Sequence, residues 1–99
     1  MSEISDTAGA VTEDTDASRF ELRESGELLS FADYQTRGTT IVVPHVETIP
    51  AHRGRGNAAR LMDGLLAIIR ADGRTIVPLC PFAAAHIRDE PAHHDLLAG

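Results

Sequence analysis

Arg53-Gly54-Arg55-Gly56-Asn57-Ala58 is the segment whose residue types and spacing most directly imply chemistry: two arginines alternate with two glycines just ahead of an apolar stretch at helical spacing. A chain turning there from a strand into a helix offers unpaired backbone N–H groups and the positive end of a helix dipole. The glycines let an anion approach closely, and arginine makes bidentate contacts with phosphate oxygens. A diphosphate is the natural ligand. The same residues would also serve a plain tight turn with solvated arginines, so the loop alone does not decide.

Other candidates flank it. His45 and Glu47 are two residues apart, so on a strand they share a face, and a His–carboxylate pair or a water bridge can form. Histidine is the side-chain type that changes charge near neutral pH, which suits a general base, whereas a glutamate base works through a water relay. Either residue could instead make structural hydrogen bonds at a strand end. Cys80 precedes Pro81 where a strand should give way to a helix, and a helix N-terminus favours the thiolate. Reactive thiol and buried packing residue both stay open for it. His86, His93, His94 and Asp95 do not form a metal pattern, because the adjacent histidines lack helical i, i+4 spacing and no second cysteine exists, so no metal is expected.

The elements that must position these groups follow from periodicity. RFELR and ELLSFADYQ, separated by Ser25-Gly26, read as a hairpin in which Leu29, Phe31, Asp33 and Gln35 share one parity. TTIVVPHVETIP is a β-branched central strand, with a bulge or ladder break expected at Pro44 and His45. Ala58, Leu61, Met62, Leu65, Leu66, Ile68 and Ile69 then lie at helical spacing, with Arg60, Asp63, Arg70 and Asp72 on the other side and Gly73 as the stop. TIVPL should be a strand parallel to the central one, reached by a right-handed crossover. PFAAAHIRDE is a second helix opened by proline, and PAHHDLLAG adds a final turn. The expected fold is an α/β mixed sheet in the order β-β-β-α-β-α, spanning residues 19–99. Residues 1–18, with five acidic side chains and no basic one, read as a disordered acidic tail.

Composition bounds the function. The chain has 99 residues with 15 acidic and 9 basic side chains, for a formal charge of −6. Outside the tail, ten acidic residues face nine arginines, a near-neutral balance that argues against a nucleic-acid binder or an anionic-membrane binder. Aromatic residues make up only 4% with no Trp, and no apolar run reaches the ~18 residues of a membrane span. With one cysteine and no leader-like segment, a cytoplasmic location is the default expectation. A core of about 80 residues is small enough that a monomer is marginal, so a monomer or weak homodimer is expected.

These residues carry a resemblance. Arg53, Gly56 and Ala58 fit the R/Q-x-x-G-x-G/A signature of the GNAT superfamily of acetyl-CoA-dependent N-acyltransferases. His45-Val46-Glu47-Thr48-Ile49-Pro50 and Cys80-Pro81-Phe82 resemble the minimal single-domain GNAT proteins of the YjdJ type, over residues 19–97. The resemblance implies a splayed pair of parallel strands that admits the pantetheine arm of acetyl-CoA. It further implies a diphosphate on Arg53, Gly54, Arg55, Gly56, Asn57 and Ala58, and an acetyl group near His45 to Thr48. Cys80 would be proton donor to the departing thiolate or a transiently acetylated nucleophile. Many members use a tyrosine as that acid, but the only one here, Tyr34, falls on an early strand. The implied activity is N-acetylation of an unidentified primary amine, with a protein or peptide amine among the candidates; the alternative is a non-catalytic CoA or acyl-CoA-binding module.

Overall fold

The structure, a computed structural model, describes residues 11–98. Five strands lie in the spatial order β1-β2-β3-β4-β5: β1 Val11–Asp14, β2 Arg19–Glu24, β3 Glu27–Arg37, β4 Thr40–Thr48 and β5 Thr75–Pro78. Helix α1 (Asn57–Ala71) connects β4 to β5, α2 (Pro81–Arg88) follows β5, and 3-10 turns occupy Pro50–His52 and Pro91–Leu96. The first four strands are antiparallel and β4–β5 is parallel. The expected α/β mixed sheet is present, with one more strand at its front.

That strand corrects the reading of residues 1–18 as a disordered tail. Residues 1–10 lie outside the described residues, but Val11 to Asp14 pair with β2, from Val11↔Leu22 to Asp14↔Arg19. The folded domain therefore begins by Val11 instead of at residue 19. Val11 packs where Gly64 of α1 leaves room: a Cβ on Gly64 would lie 2.3 Å from Val11 Cγ2. Glu13 accepts hydrogen bonds from Arg74 Nη2 at 2.9 Å and Nη1 at 3.2 Å, and from the Tyr34 hydroxyl at 2.5 Å. A charge that looks solvating in sequence is thus neutralised by an arginine 61 positions away.

This anchor gives stability a defined pH dependence. The hydrogen-bonding Arg74 guanidinium holds the Glu13 carboxyl below its ordinary 4.5. Burial, and then the bond to Glu13, push Tyr34 up to about 12. A depressed carboxyl contributes stability above the unfolded value and loses it as pH falls through the folded one; a raised phenol contributes below its unfolded value of 10.0 and loses it as pH climbs toward the folded one. Thermal unfolding across pH should therefore show an acid limb below pH 4.5 that flattens in Glu13→Gln. An unchanged acid limb in that variant would remove Glu13 as its source.

One face of the sheet carries the core. Phe20, Leu22, Ala32, Ile41, Val43 and Ile76 meet Leu61, Met62, Leu65, Leu66 and Ile69 of α1, all of them at most 1% exposed. Helix α2 adds Ala83 and Ile87 to the same cluster. The apolar stripe of α1 is wide enough to lie across several strands, which is why its polar residues face outward. Among the described residues no helix covers the opposite face, where the Arg19 guanidinium lies 4.2 Å from the centre of the Phe31 ring.

Two irregularities set the site. In β3 the register passes from Leu22↔Ser30 to Arg23↔Leu28, leaving Leu29 as an extra residue that turns into the core at 4% exposure. The expected shared parity of Leu29 with Phe31 is overturned by this bulge. In β4, Asp33↔His45 and Gln35↔Val42 leave Val43 and Pro44 facing the single residue Tyr34. This is the bulge that Pro44 implied. β5 pairs with β4 only from Thr40↔Thr75 to Val43↔Pro78, and then both Leu79 and Cys80 donate their N–H to Val43 O, at 3.0 and 3.1 Å. Proline cannot donate to the ladder, so the parallel strands part there and β4 runs on without β5.

Candidate functional site

Beyond the parting point, β4 keeps β3 on one side only. Ile49 N–H donates to Leu29 O at 2.9 Å, which puts Glu47 and His45, of the same parity, into the β3 ladder. The main-chain groups of Val46 and Thr48 then face the side that β5 has left. Side chains at His45 and Glu47 share the uncovered face, and His45 Nε2 lies 2.9 Å from Glu47 Oε1. The expected His–carboxylate pair is formed. Its ring also tilts against Phe31, with centroids 6.3 Å apart.

The Gly-rich loop lies at the other end of the same groove. Gly54 and Gly56 have φ of +79° and +76°, and Gly56 is the N-cap of α1 with no side chain capping the helix. Only glycine takes that backbone region without cost, and reversed dihedrals of this kind turn successive N–H groups to one side, the geometry of an anion-binding nest. The first bond within the helix runs from Arg60 N–H to Gly56 O at 3.1 Å. Among the described residues, the N–H groups of positions 54–59 have no acceptor. Nor do Arg53 and Arg55 have a carboxylate partner among them, although Arg53 Nε lies 3.3 Å from Thr48 O.

Asn57 has a different role from the one its place in the loop suggests. It is 5% exposed; Nδ2 donates to His52 O at 3.0 Å, and Oδ1 accepts from Arg60 Nη1 at 3.0 Å. Its side chain holds the loop while its N–H stays available. His52 in turn reaches Glu27 at 2.6 Å, tying the preceding turn to β3.

Two adjoining hollows make the groove continuous. One, of about 520 Å³, is lined by His45, Val46, Glu47, Thr48, Arg53, Ala58 and Phe82. The other, of about 240 Å³, is bounded by Gly54, Gly56, Asn57 and Ala59 and shares Thr48, Arg53, Ala58 and Phe82 with the first. The structure thus brings His45, Glu47, Arg53, Gly54, Gly56, Asn57 and Ala58 together. Arg55 and Cys80 line neither hollow. Cys80 is 8% exposed and belongs to the core cluster. Tyr34 is likewise buried, at 7%, with its hydroxyl on Glu13, so it is not available as an acid in the groove.

Phe82 was not singled out as a site residue by sequence reasoning. It follows the proline that opens α2, stays 44% exposed, and forms a wall common to both hollows. Its signal was a large aromatic at the start of a helix whose buried positions, Ala83 and Ile87, lie elsewhere. The groove therefore offers, among the described residues, unpaired amide donors and the Arg53 guanidinium, which has no carboxylate partner, at one end and a His–Glu pair at the other, with Arg55 on the loop beside the first end. Its middle is apolar and bordered by an unpaired strand edge. The donor set at the first end suits a diphosphate, by count and by charge.

Comparison with known proteins bears on the fold and the family. The fold is similar to that of a GCN5-like protein from Staphylococcus aureus, with TM-score 0.65 and 17% identity over 90% of this chain and 87% of that one. It is also similar to a ribosomal-protein-alanine N-acetyltransferase from Brucella melitensis biovar Abortus 2308, with TM-score 0.51 and 20% identity over 82% of this chain and 62% of that one. A GNAT-family protein from Novosphingobium aromaticivorans shares 30% identity over 73% of this chain and 35% of that one, with TM-score 0.49. No curated protein sequence matches the chain. The family profile described as GCN5-related N-acetyl-transferase matches residues 19–96, the span that holds β2 to the final turn and every residue of the groove. The chain belongs to the GCN5-related N-acetyltransferase family.

Proposed function

We propose that the protein is an acetyl-CoA-dependent N-acetyltransferase that modifies a primary amine by direct transfer. The observation that carries this reading is the single groove joining the His45–Glu47 pair to the unpaired amides of residues 54–59. Acetyl-CoA would supply the activated acetyl thioester. The backbone N–H groups at the start of α1, with Arg53 and Arg55, would hold its diphosphate. The main-chain N–H and C=O of Val46 and the N–H of Thr48, whose carbonyl accepts from Arg53 Nε, offer strand-like hydrogen bonds to an extended amide-bearing arm. An amine attacks only when neutral, so His45, held by Glu47, takes its proton; as the C–N bond forms the thioester C–S bond breaks, and CoA leaves as a thiolate that takes a proton from solvent at the open groove. The N–H of Val46, facing the gap, is the donor best disposed toward a developing oxyanion.

The uncovered face beside this pair favours a cationic acceptor. Glu21 and Asp33 are matched there by Arg23 and Arg19, with Arg23 Nε 2.9 Å from Glu21 Oε1 and Arg19 Nε 3.2 Å from Asp33 Oδ1, which leaves Glu47 as the carboxylate with no arginine partner among the described residues. A protein or peptide amine suits a face that no helix encloses. No nucleic-acid or membrane partner is proposed, and no helix among the described residues is long and apolar enough to cross a membrane. The function is tested by titrating the protein calorimetrically with CoA and acetyl-CoA and then assaying thiol release with lysine peptides and polyamines. Binding with amine-dependent release supports the proposal; binding without release by any amine would favour a CoA-binding module, and no binding would end both.

Direct transfer makes a further demand on Cys80. Its place in the core cluster, outside both hollows, argues against an acetylated cysteine. Cys80→Ala should therefore keep acetyl transfer within about threefold of wild type, with a stability loss of roughly 1 kcal/mol from the smaller side chain. A folded Cys80→Ala protein without activity would restore the acyl-cysteine route.

A further inference from the structure

Asp63 of α1, His86 of α2 and His93 of the last 3-10 turn converge on the far side of the helices from the open sheet face. Their nearest ligand atoms all lie within 4.8 Å of one another. Both imidazoles present Nε2 to the same carboxylate oxygen: His86 Nε2 is 2.8 Å and His93 Nε2 3.9 Å from Asp63 Oδ1. The two rings stack at 5.9 Å, and their side chains are 19% and 20% exposed, against 59% for Asp63. Spacing in sequence gave no sign of this, because the three residues sit on three elements.

We propose that Asp63, His86 and His93 bind one divalent transition-metal ion, with zinc the best match. Two imidazoles and a carboxylate are a zinc ligand set, with water as the fourth ligand. Zinc bonds of ~2.0 Å in a tetrahedron separate the ligand atoms by roughly 3.3 Å. The two carboxylate–imidazole distances, 2.8 and 3.9 Å, bracket that value, and the two imidazole ligand atoms lie within 4.8 Å of each other, so side-chain adjustments of about 1 Å complete the site. The supports are in place. Arg70 of α1 grips Asp95 with Nη1 at 2.7 Å and Nη2 at 2.9 Å, and Nη2 donates to Ala92 O at 2.9 Å. Those bonds fix the backbone on both sides of His93 against α1, and His93 N–H donates to Glu90 O at 2.9 Å within the closing segment. The ion would tie α1, α2 and the closing segment together, in a domain small enough for such a staple to matter. His86 also stacks on Phe82 at 6.1 Å, so the ion stiffens the element that walls the groove.

The test uses the full chain after chelator treatment, titrated with zinc chloride by calorimetry and with cobalt chloride by visible absorption. The expected result is one ion per chain, tetrahedral cobalt bands, and a Tm increase of roughly 10 °C at a hundredfold excess over Kd. Asp63→Asn, which keeps the shape of an exposed side chain, and His93→Ala should each weaken binding at least about tenfold. His94→Ala, whose ring bonds Arg88 O instead, should leave it unchanged. Absence of stoichiometric binding by folded wild type overturns the proposal, as does binding that survives both Asp63→Asn and His93→Ala.

Discussion

Gly56→Glu should lose at least about a hundredfold in affinity for CoA and acetyl-CoA, because it places a carboxylate among the donors meant for a diphosphate. A unit negative charge about 4 Å from a bound phosphate at a protein surface costs roughly 4 kcal/mol. The new side chain would also accept the free N–H groups of α1 as an internal anion. Strain must be separated from charge, since Gly56 has φ +76° and a residue with a Cβ in that region costs roughly 1–2 kcal/mol. Gly56→Ala makes the separation: a Cβ at Gly56 meets nothing within 4 Å, so alanine brings the strain without the charge. Both variants should show a Tm lower by roughly 5–15 °C, and only the glutamate should abolish the calorimetric signal. Equal binding by Gly56→Glu and wild type would take the diphosphate away from this loop; equal loss in Gly56→Ala would make the glycine's role conformational.

The readability of this molecule follows from where its information lies. Periodicity and punctuation revealed α1, α2, the central strand and its break, because each depends on residues close in sequence: Pro44 interrupts the ladder, Pro81 opens a helix, and Gly73 ends one. β1 was invisible for the opposite reason. VTED carries one apolar residue, and what docks it is a missing side chain at Gly64 and a guanidinium at Arg74, both remote along the chain. The bulge at Leu29 likewise depends on how β2 and β3 register, which alternation alone cannot count. At the site, loop residues were legible as types, yet Asn57 turned out to use its side chain on His52 O and Arg60. Cys80 carried an attractive local context, but burial is a property of the whole packing and puts it in the core cluster.

His45→Ala should lower kcat for amine acetylation by about 10²–10⁴-fold, the usual worth of a positioned general base, while leaving acetyl-CoA affinity within about twofold. The reason is geometric separation. His45 lines the hollow that does not contain the loop glycines, and among the described residues its one side-chain hydrogen bond is to Glu47 at 2.9 Å. Both side chains are substantially exposed, 54% and 40%, so the substitution leaves no buried group unpaired and stability should change by less than about 0.5 kcal/mol. Glu47→Gln keeps a hydrogen-bonding side chain of the same shape beside the ring but removes its charge. If Glu47 orients His45, its variant should lose less than His45→Ala, and the double variant should be no worse than His45→Ala alone, since groups acting as a unit are not additive. If Glu47 is itself the base, the order reverses and His45→Ala becomes the milder change. Full activity in both single variants would detach proton removal from this pair and return it to bulk water, which the openness of the sheet face permits.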